Sequence, residues 1–271
     1  MKKVILVGLI FGLLLFSIAC SEDEDDKFVN DPPENLQFYI DADTIAVLEW
    51  DASPDADSDD FLYYEVFLAT SSIKDGAIPT DTFTTVYREK EVPLVHNQKR
   101  YFAVRTRLNN SEDSLSDFSN EVDIAATKMG TDTLYQIEIS DTMITAMGFD
   151  DDGGHIYEMA AENQSKIHLY FTTDGDGTLI FESPHLYSSA FHECQFEELG
   201  SGSWKHYNTI SGNVDEDFVT LETGKSIVVK TVTNNFAKIR ILQLAPYELD
   251  DDYYKAVVQY SYQPYPEYRC F

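Results

Sequence analysis

Residues 183–196, SPHLYSSAFHECQF, place two imidazoles and a thiol, His185, His192 and Cys194, in one loop-like stretch with three aromatics. Imidazole nitrogen and thiolate sulfur can hold a metal or a planar cofactor, so a site is sought here first, although each histidine taken alone reads as structural or exposed. The spacing is not that of a zinc site, because the chain has neither a CxxC pair nor a zinc-finger Cys/His pattern. A second set of donors lies in SPDADSDDF, where Asp55, Asp57 and Asp59 alternate. Three carboxylates could wrap calcium, yet the glycine and closing glutamate of an EF-hand loop are missing, and a solvated strand connection is the simpler reading. Asp174-Gly175-Asp176-Gly177 is a fragment of the same pattern that a tight turn explains without metal. No GxSxG, HExxH, P-loop or GxGxxG occurs, and His192-Glu193 lacks the second histidine of a zincin helix. With 48 Asp and Glu a glycosidase-type carboxylate pair remains an alternative, since it needs a distance in space and no local motif. The leading expectation is a protein without catalysis. Ligand contacts are then expected from His185, Tyr187 and His192, and from Trp204 in the Gly-rich GSGSWKHYNT, where a buried core tryptophan is the alternative.

The elements that must position these groups read as β throughout. Between residues 31 and 126 short alternating runs such as TIAVLEW, FLYYEVFLA and RYFAVRTRL are separated by Asp, Ser, Pro and Gly clusters, which predicts an antiparallel sandwich. Tyr64, Val66 and Leu68 share one face of the third run, and Tyr63, Glu65 and Phe67 the other. The polar AATKMGTDT, residues 125–133, marks a domain boundary, and a second antiparallel β-rich domain is expected over residues 131–271. There KIHLYFT and TLIFE flank the Asp-Gly turn as a hairpin, and two further strands enclose Asn234-Asn235's neighbourhood in KTVTNNFAK. His168 in KIHLYFT alternates with Lys166 and Tyr170 and is expected to face solvent.

Residues 1–19 read as a leader, with Lys2 and Lys3 before the apolar run VILVGLIFGLLLFSIA. Ser17-Ile18-Ala19-Cys20 resembles the lipobox of bacterial lipoproteins, with Ser17 where leucine is usual. The resemblance implies that Cys20 becomes the acylated first residue; an ordinary secretory signal or a single span is the alternative. Residues 20–30 carry five successive acids, EDEDD, whose mutual repulsion makes a solvated tether. An acidic run in this place also resembles the export signal that sends lipoproteins of the Bacteroidota to the surface of the cell outer membrane, a plain linker being the alternative. The net charge of −29 becomes −31 once Lys2 and Lys3 leave with the leader. Such a chain is repelled by nucleic acid and by anionic membrane surfaces, so attachment must come from the acyl groups on Cys20. The expected partners are outer-membrane lipid and an extracellular ligand or surface protein that the sequence does not identify. Outside the cytoplasm Cys194 and Cys270 could form a disulfide; two free thiols are the alternative.

Residues 32–126 resemble a fibronectin type III domain. Pro33 and Leu36 fit its opening strand, Trp50 its second-strand tryptophan and Tyr64 its third-strand tyrosine. Val95, six before Tyr101, fits its corner, and Ser119-Asn120-Glu121-Val122 its closing strand. The resemblance implies a spacer, adhesion or presentation module without catalysis; the integrin-binding RGD is missing from NNSEDSLSDF. Nearer the C-terminus, Val228, Val229, Lys230, Thr231, Ala237, Lys238, Ile239, Tyr260, Tyr262 and Gln263 resemble the final strands of HmuY-like haem-binding lipoproteins. Haem is therefore the alternative to having no cofactor, with His155, Met159, His168, His185, His192 and His206 as candidate axial ligands. The whole reads as an all-β, non-enzymatic surface lipoprotein in which a fibronectin-like spacer carries a ligand-binding domain. A haem-binding lipoprotein and a carbohydrate-acting enzyme are the alternatives.

Overall fold

The computed structural model describes residues 30–109, 114–137, 143–202, 204–206, 208–210, 212–248 and 250–271, so the leader, Cys20 and the acidic tether lie outside the described residues. The fold is all-β, with every paired strand antiparallel. The first sandwich contains β1 (Glu34–Ala42), β2 (Ile45–Asp51), β3 (Phe61–Ala69), β4 (Asp81–Thr85), β5 (Glu89–Pro93), β6 (Lys99–Leu108) and β7 (Val122–Ala125). Its sheets run β1-β2-β5 and β4-β3-β6-β7. Side chains alternate across a strand, so Leu36, Phe38 and Ile40 of β1 meet Leu48 and Trp50 of β2 and Tyr64, Val66 and Leu68 of β3 in one core. Tyr64 stands edge-on to Trp50 at 5.4 Å. The outer face of β3 is covered as well. Phe67 lies 5.1 Å from Phe118, with the Arg105 guanidinium above it at 4.6 Å and paired with Glu65 at 2.6 Å.

Val95 is 44% exposed and Tyr101 lies off the core, while Leu94 and Phe102, at 4% and 0%, take the inward positions. A one-residue slip inverts a whole strand, and YFAVRTRL is apolar enough at its start to leave the register open. Asp55, Asp57 and Asp59 form no calcium site. Residues Pro54–Asp57 make a 3-10 turn capped by Ser53, where positions two apart point to different sides, and Asp55 accepts the Asp31 N–H at 2.9 Å. Among the described residues no group of three His, Cys, Asp or Glu is placed to hold a metal ion.

The second sandwich contains β8 (Lys128–Tyr135), β9 (Ala146–Asp150), β10 (Gly153–Tyr157), β11 (Leu169–Thr173), β12 (Leu179–Glu182), β13 (Gln195–Gly200), β14 (Phe218–Thr220), β15 (Ser226–Lys230), β16 (Phe236–Tyr247) and β17 (Asp250–Gln263). One short helix, α1 (Pro184–Tyr187), follows β12. The sheets run β10-β9-β11-β12-β14 and β13-β15-β16-β17-β8, and Leu169, Phe171, Phe181, Phe196, Val229, Ile239 and Val258 fill the space between them. The Asp-Gly turn joins β11 to β12 as a hairpin. Asp174 Oδ1 accepts the N–H groups of Asp176 and Thr178, at 2.9 and 2.8 Å, and Gly177 takes φ +83°.

No slack linker separates the sandwiches: β7 ends at Ala125, and β8 begins at Lys128. Gly130 serves close packing there, since a Cβ would lie 2.3 Å from the Tyr260 hydroxyl oxygen. Asp43 receives the Met129 N–H on its carboxylate at 2.7 Å and the Thr127 N–H on its carbonyl at 3.2 Å. The C-terminal tail completes the seam. The Tyr268 hydroxyl donates to the Asp123 carbonyl, the Lys99 ammonium lies 4.3 Å above the Tyr268 ring, and Cys270 packs against the first core. That placement overturns the proposed Cys194–Cys270 bridge: Cys194 is buried in the second core, Cys270 faces the first, and both are free thiols.

Candidate functional site

The loop at residues 183–196 does not converge on a ligand. In α1 a proline at the first turn and Ser183 before it set the chain, and the Ser183 hydroxyl lies 2.8 Å from His185 Nδ1. Tyr187 is half exposed and stands edge-on to Tyr170 and Phe191, at 5.9 Å from each. His192 is half-buried, and Cys194 is 1% exposed, its thiol pushed up to about 12 by burial. Trp204 is a buried residue, 8% exposed, with the Lys238 ammonium 4.4 Å over its ring and bonded to its carbonyl at 3.3 Å. Of the residues expected to touch a ligand, His185 and Tyr187 have near neighbours within the loop and Trp204 is buried under Lys238, while His192 is half-buried.

A cleft of about 680 Å³ opens instead at one end of the second sandwich. The turn between β9 and β10 supplies Asp150, Asp151 and Asp152, and Tyr157 follows from β10. Ser165, Lys166 and His168 come from the approach to β11. The β15–β16 turn contributes Val232, Thr233 and Asn235, and the end of β17 gives Tyr262, Pro264 and Pro266. Its volume is that of a small-molecule site, within the usual range of about 300–1,000 Å³.

Three rings form the floor. Phe149 stacks on Tyr262 at 5.3 Å and on His168 at 6.1 Å, with interplanar angles of 16° and 20°. Gly148 allows this packing, because a Cβ there would lie 1.8 Å from the Lys166 carbonyl oxygen. His168 is 6% exposed and takes the Phe149 N–H on Nδ1 at 2.9 Å. Burial and the charge of His192 hold its pKa down, to about 4, against the pull of Asp150. The ring is therefore neutral near pH 7, with its proton on Nε2. No hydrogen bond to Nε2 forms among the described residues.

The walls differ in chemistry. Burial raises Asp150, but the Asp152 N–H and His155 Nε2, both at 2.9 Å from Oδ1, outweigh it and hold this carboxyl below its ordinary range. Asp151 and Asp152 are exposed beside it. Burial, with the charges of Asp151 and Asp150, pushes Tyr262 up to about 12. Opposite, the β15–β16 turn is held by its own bonds: Thr233 Oγ1 donates to Asn235 Oδ1 at 2.7 Å, and Asn235 Nδ2 to the Gln263 carbonyl at 3.2 Å. Lys166 extends its ammonium over Tyr157 at 5.7 Å.

These groups can bind and orient a small molecule. For haem iron they fit poorly, since His168 presents an N–H to the cleft where a ligand needs a lone pair. His155 is engaged by Asp150, and Met159 packs beside Ile167 and Tyr170. The side chain of His206 lies outside the described residues. Sequence reasoning named His168 among the candidate ligands but expected it in solvent, because period two was continued through KIHLYFT, whereas Ile167, His168, Leu169 and Tyr170 are all buried.

No family model matches the chain, and no curated protein does. Among solved structures it is similar to titin kinase and its flanking domains, with 10% identity and a TM-score of 0.29 over 85% of this chain and 37% of that one. It is also similar to the twitchin kinase region from C. elegans, with 11% identity and a TM-score of 0.28 over 85% of this chain and 40% of that one. The chain thus spans well under half the length of either. Similarity at this level carries no conclusion about function.

Proposed function

We propose that this chain is a non-enzymatic, lipid-anchored binding protein of the bacterial outer surface. Cys20 is its anchor, the first sandwich a fibronectin type III-like spacer, and the second sandwich its ligand-binding part. The observation that carries the reading is the cleft, a small-molecule-sized hollow with the His168 imidazole on its floor, its Nδ1 taken by the Phe149 N–H.

The three-plus-four strand order of the first sandwich, with Trp50 against Tyr64 in its core, is in keeping with a fibronectin-like spacer. The seam through Asp43, Tyr268 and Asp123 would hold the cleft at a set orientation to that spacer. Within the cleft the three carboxyls of Asp150, Asp151 and Asp152 share one turn. A glycosidase instead sets two carboxyls on opposite sides of the bond and keeps one protonated. The second reading, haem binding, draws on the HmuY-like residues, which lie on the adjacent strands β15, β16 and β17 with Tyr262 lining the cleft.

The anchor is tested by Cys20→Ala, which should move the protein from the membrane fraction to the soluble one; retention in the membrane would refute the anchor. Protease treatment of intact cells should shave the anchored protein if it is surface-exposed. A haem titration of the chain beginning after Lys27, followed in the Soret region, should be flat, and saturable one-to-one binding would make the second reading the right one.

A further inference from the structure

We infer that the cleft takes a neutral, multiply hydroxylated ligand of one or two sugar units, with His168 Nε2–H donating to a ligand oxygen and the Asp150–Asp152 turn accepting from its hydroxyls. The inference rests on reading the cleft as a binding site and goes further by naming the ligand chemistry. Three features select it.

The floor donates a hydrogen bond and carries no charge, because the Phe149 N–H occupies Nδ1 and burial keeps the ring unprotonated. A ligand reaching it must bring an oxygen acceptor. An ammonium group could not satisfy that N–H. The wall formed by residues 150–152 carries three carboxylates against the single ammonium of Lys166, in a chain of net charge −29, so an anionic ligand meets repulsion. Carboxylates do accept well from ligand hydroxyls, and charge-assisted bonds of that kind are about twice as strong as neutral ones.

The remaining lining is apolar: Val232, 49% exposed, with Pro264, Pro266 and the half-buried Tyr157. A hydroxylated ring has C–H faces as well as polar edges. The first suit this side of the cleft, and the second suit His168 and the carboxylates. Floor donor, acidic wall and apolar wall are each met by one sugar ring.

The test uses the chain beginning after Lys27 and isothermal titration with neutral mono- to tetrasaccharides of glucose, galactose, mannose and xylose. Hemin and spermidine serve as the anionic and cationic probes. At least one neutral saccharide should bind saturably. His168→Phe keeps a ring in the stack and removes the N–H, and it should weaken binding at least about tenfold. Should that variant not fold, Asp151→Asn alters an exposed residue and should weaken binding severalfold with the fold intact. A panel silent at millimolar concentration, or binding unchanged in a folded His168→Phe and in Asp151→Asn, overturns the inference. Saturable binding of hemin or spermidine alone, lost in Asp151→Asn, would also overturn the ligand class while leaving the cleft a binding site. Silence of every probe would remove both.

Discussion

The state of His168 can be tested through stability as well as binding. Its pKa is held at about 4 in the fold against 6.5 in the unfolded chain, chiefly by burial. Above pH 6.5 both states are neutral and the full stabilisation is present. As pH falls from 6.5 toward 4 the unfolded chain takes up a proton that the folded chain refuses, so folding weakens over that window and levels off below it. At about 1.4 kcal/mol for each tenfold in proton affinity, the loss amounts to about 3 kcal/mol. Many carboxylates titrate nearby, so the quantity to measure is a difference between two proteins. His168→Gln keeps an amide oxygen for the Phe149 N–H and has no proton to gain. Urea unfolding of both chains from pH 8 to pH 4 should show the wild type losing about 3 kcal/mol more than the variant, mostly between pH 6.5 and 4. Parallel curves would refute the reasoning, because they would mean that the fold accommodates a charged imidazole at this position.

Three further outcomes are expected. Phe102→Ala should cost about 3–5 kcal/mol in urea unfolding and Val95→Ala no more than about 0.5, because Phe102 is fully buried and Val95 is exposed. Gly148→Ala forces a Cβ to within 1.8 Å of the Lys166 carbonyl and should cost on the order of 3 kcal/mol, whereas Gly175→Ala, with nothing within 4 Å, should be near neutral by thermal melting. Lys238 is pushed down to about 7 by burial and the unfolded lysine keeps its proton to about 10.5, so wild-type stability should rise between those values. Lys238→Met should abolish that rise in unfolding curves taken at pH 7 and above.

The architecture was largely legible in the chain, the site largely not. Alternation placed Tyr64, Val66 and Leu68 on one face because β geometry is local, each side chain's direction following from its neighbour's. The Asp174–Gly177 turn was legible for the same reason, since the backbone demands of a tight hairpin are met within four residues. Register was less secure: Leu94 and Phe102, not Val95 and Tyr101, face the core, and an apolar strand start offers both choices.

By itself the amino-acid sequence determined the class of fold, the hairpins and the strong negative charge, all set by composition or by residues a few positions apart. Tertiary structure decided the rest. His168 stacks on Phe149 of β9 and takes its N–H, so it is buried where alternation alone placed it in solvent. The cleft draws Phe149, His168, Asn235 and Tyr262 from four separate segments of the chain. Which segments meet is settled by how two sheets stack, an interaction between residues far apart in the chain that no local pattern records.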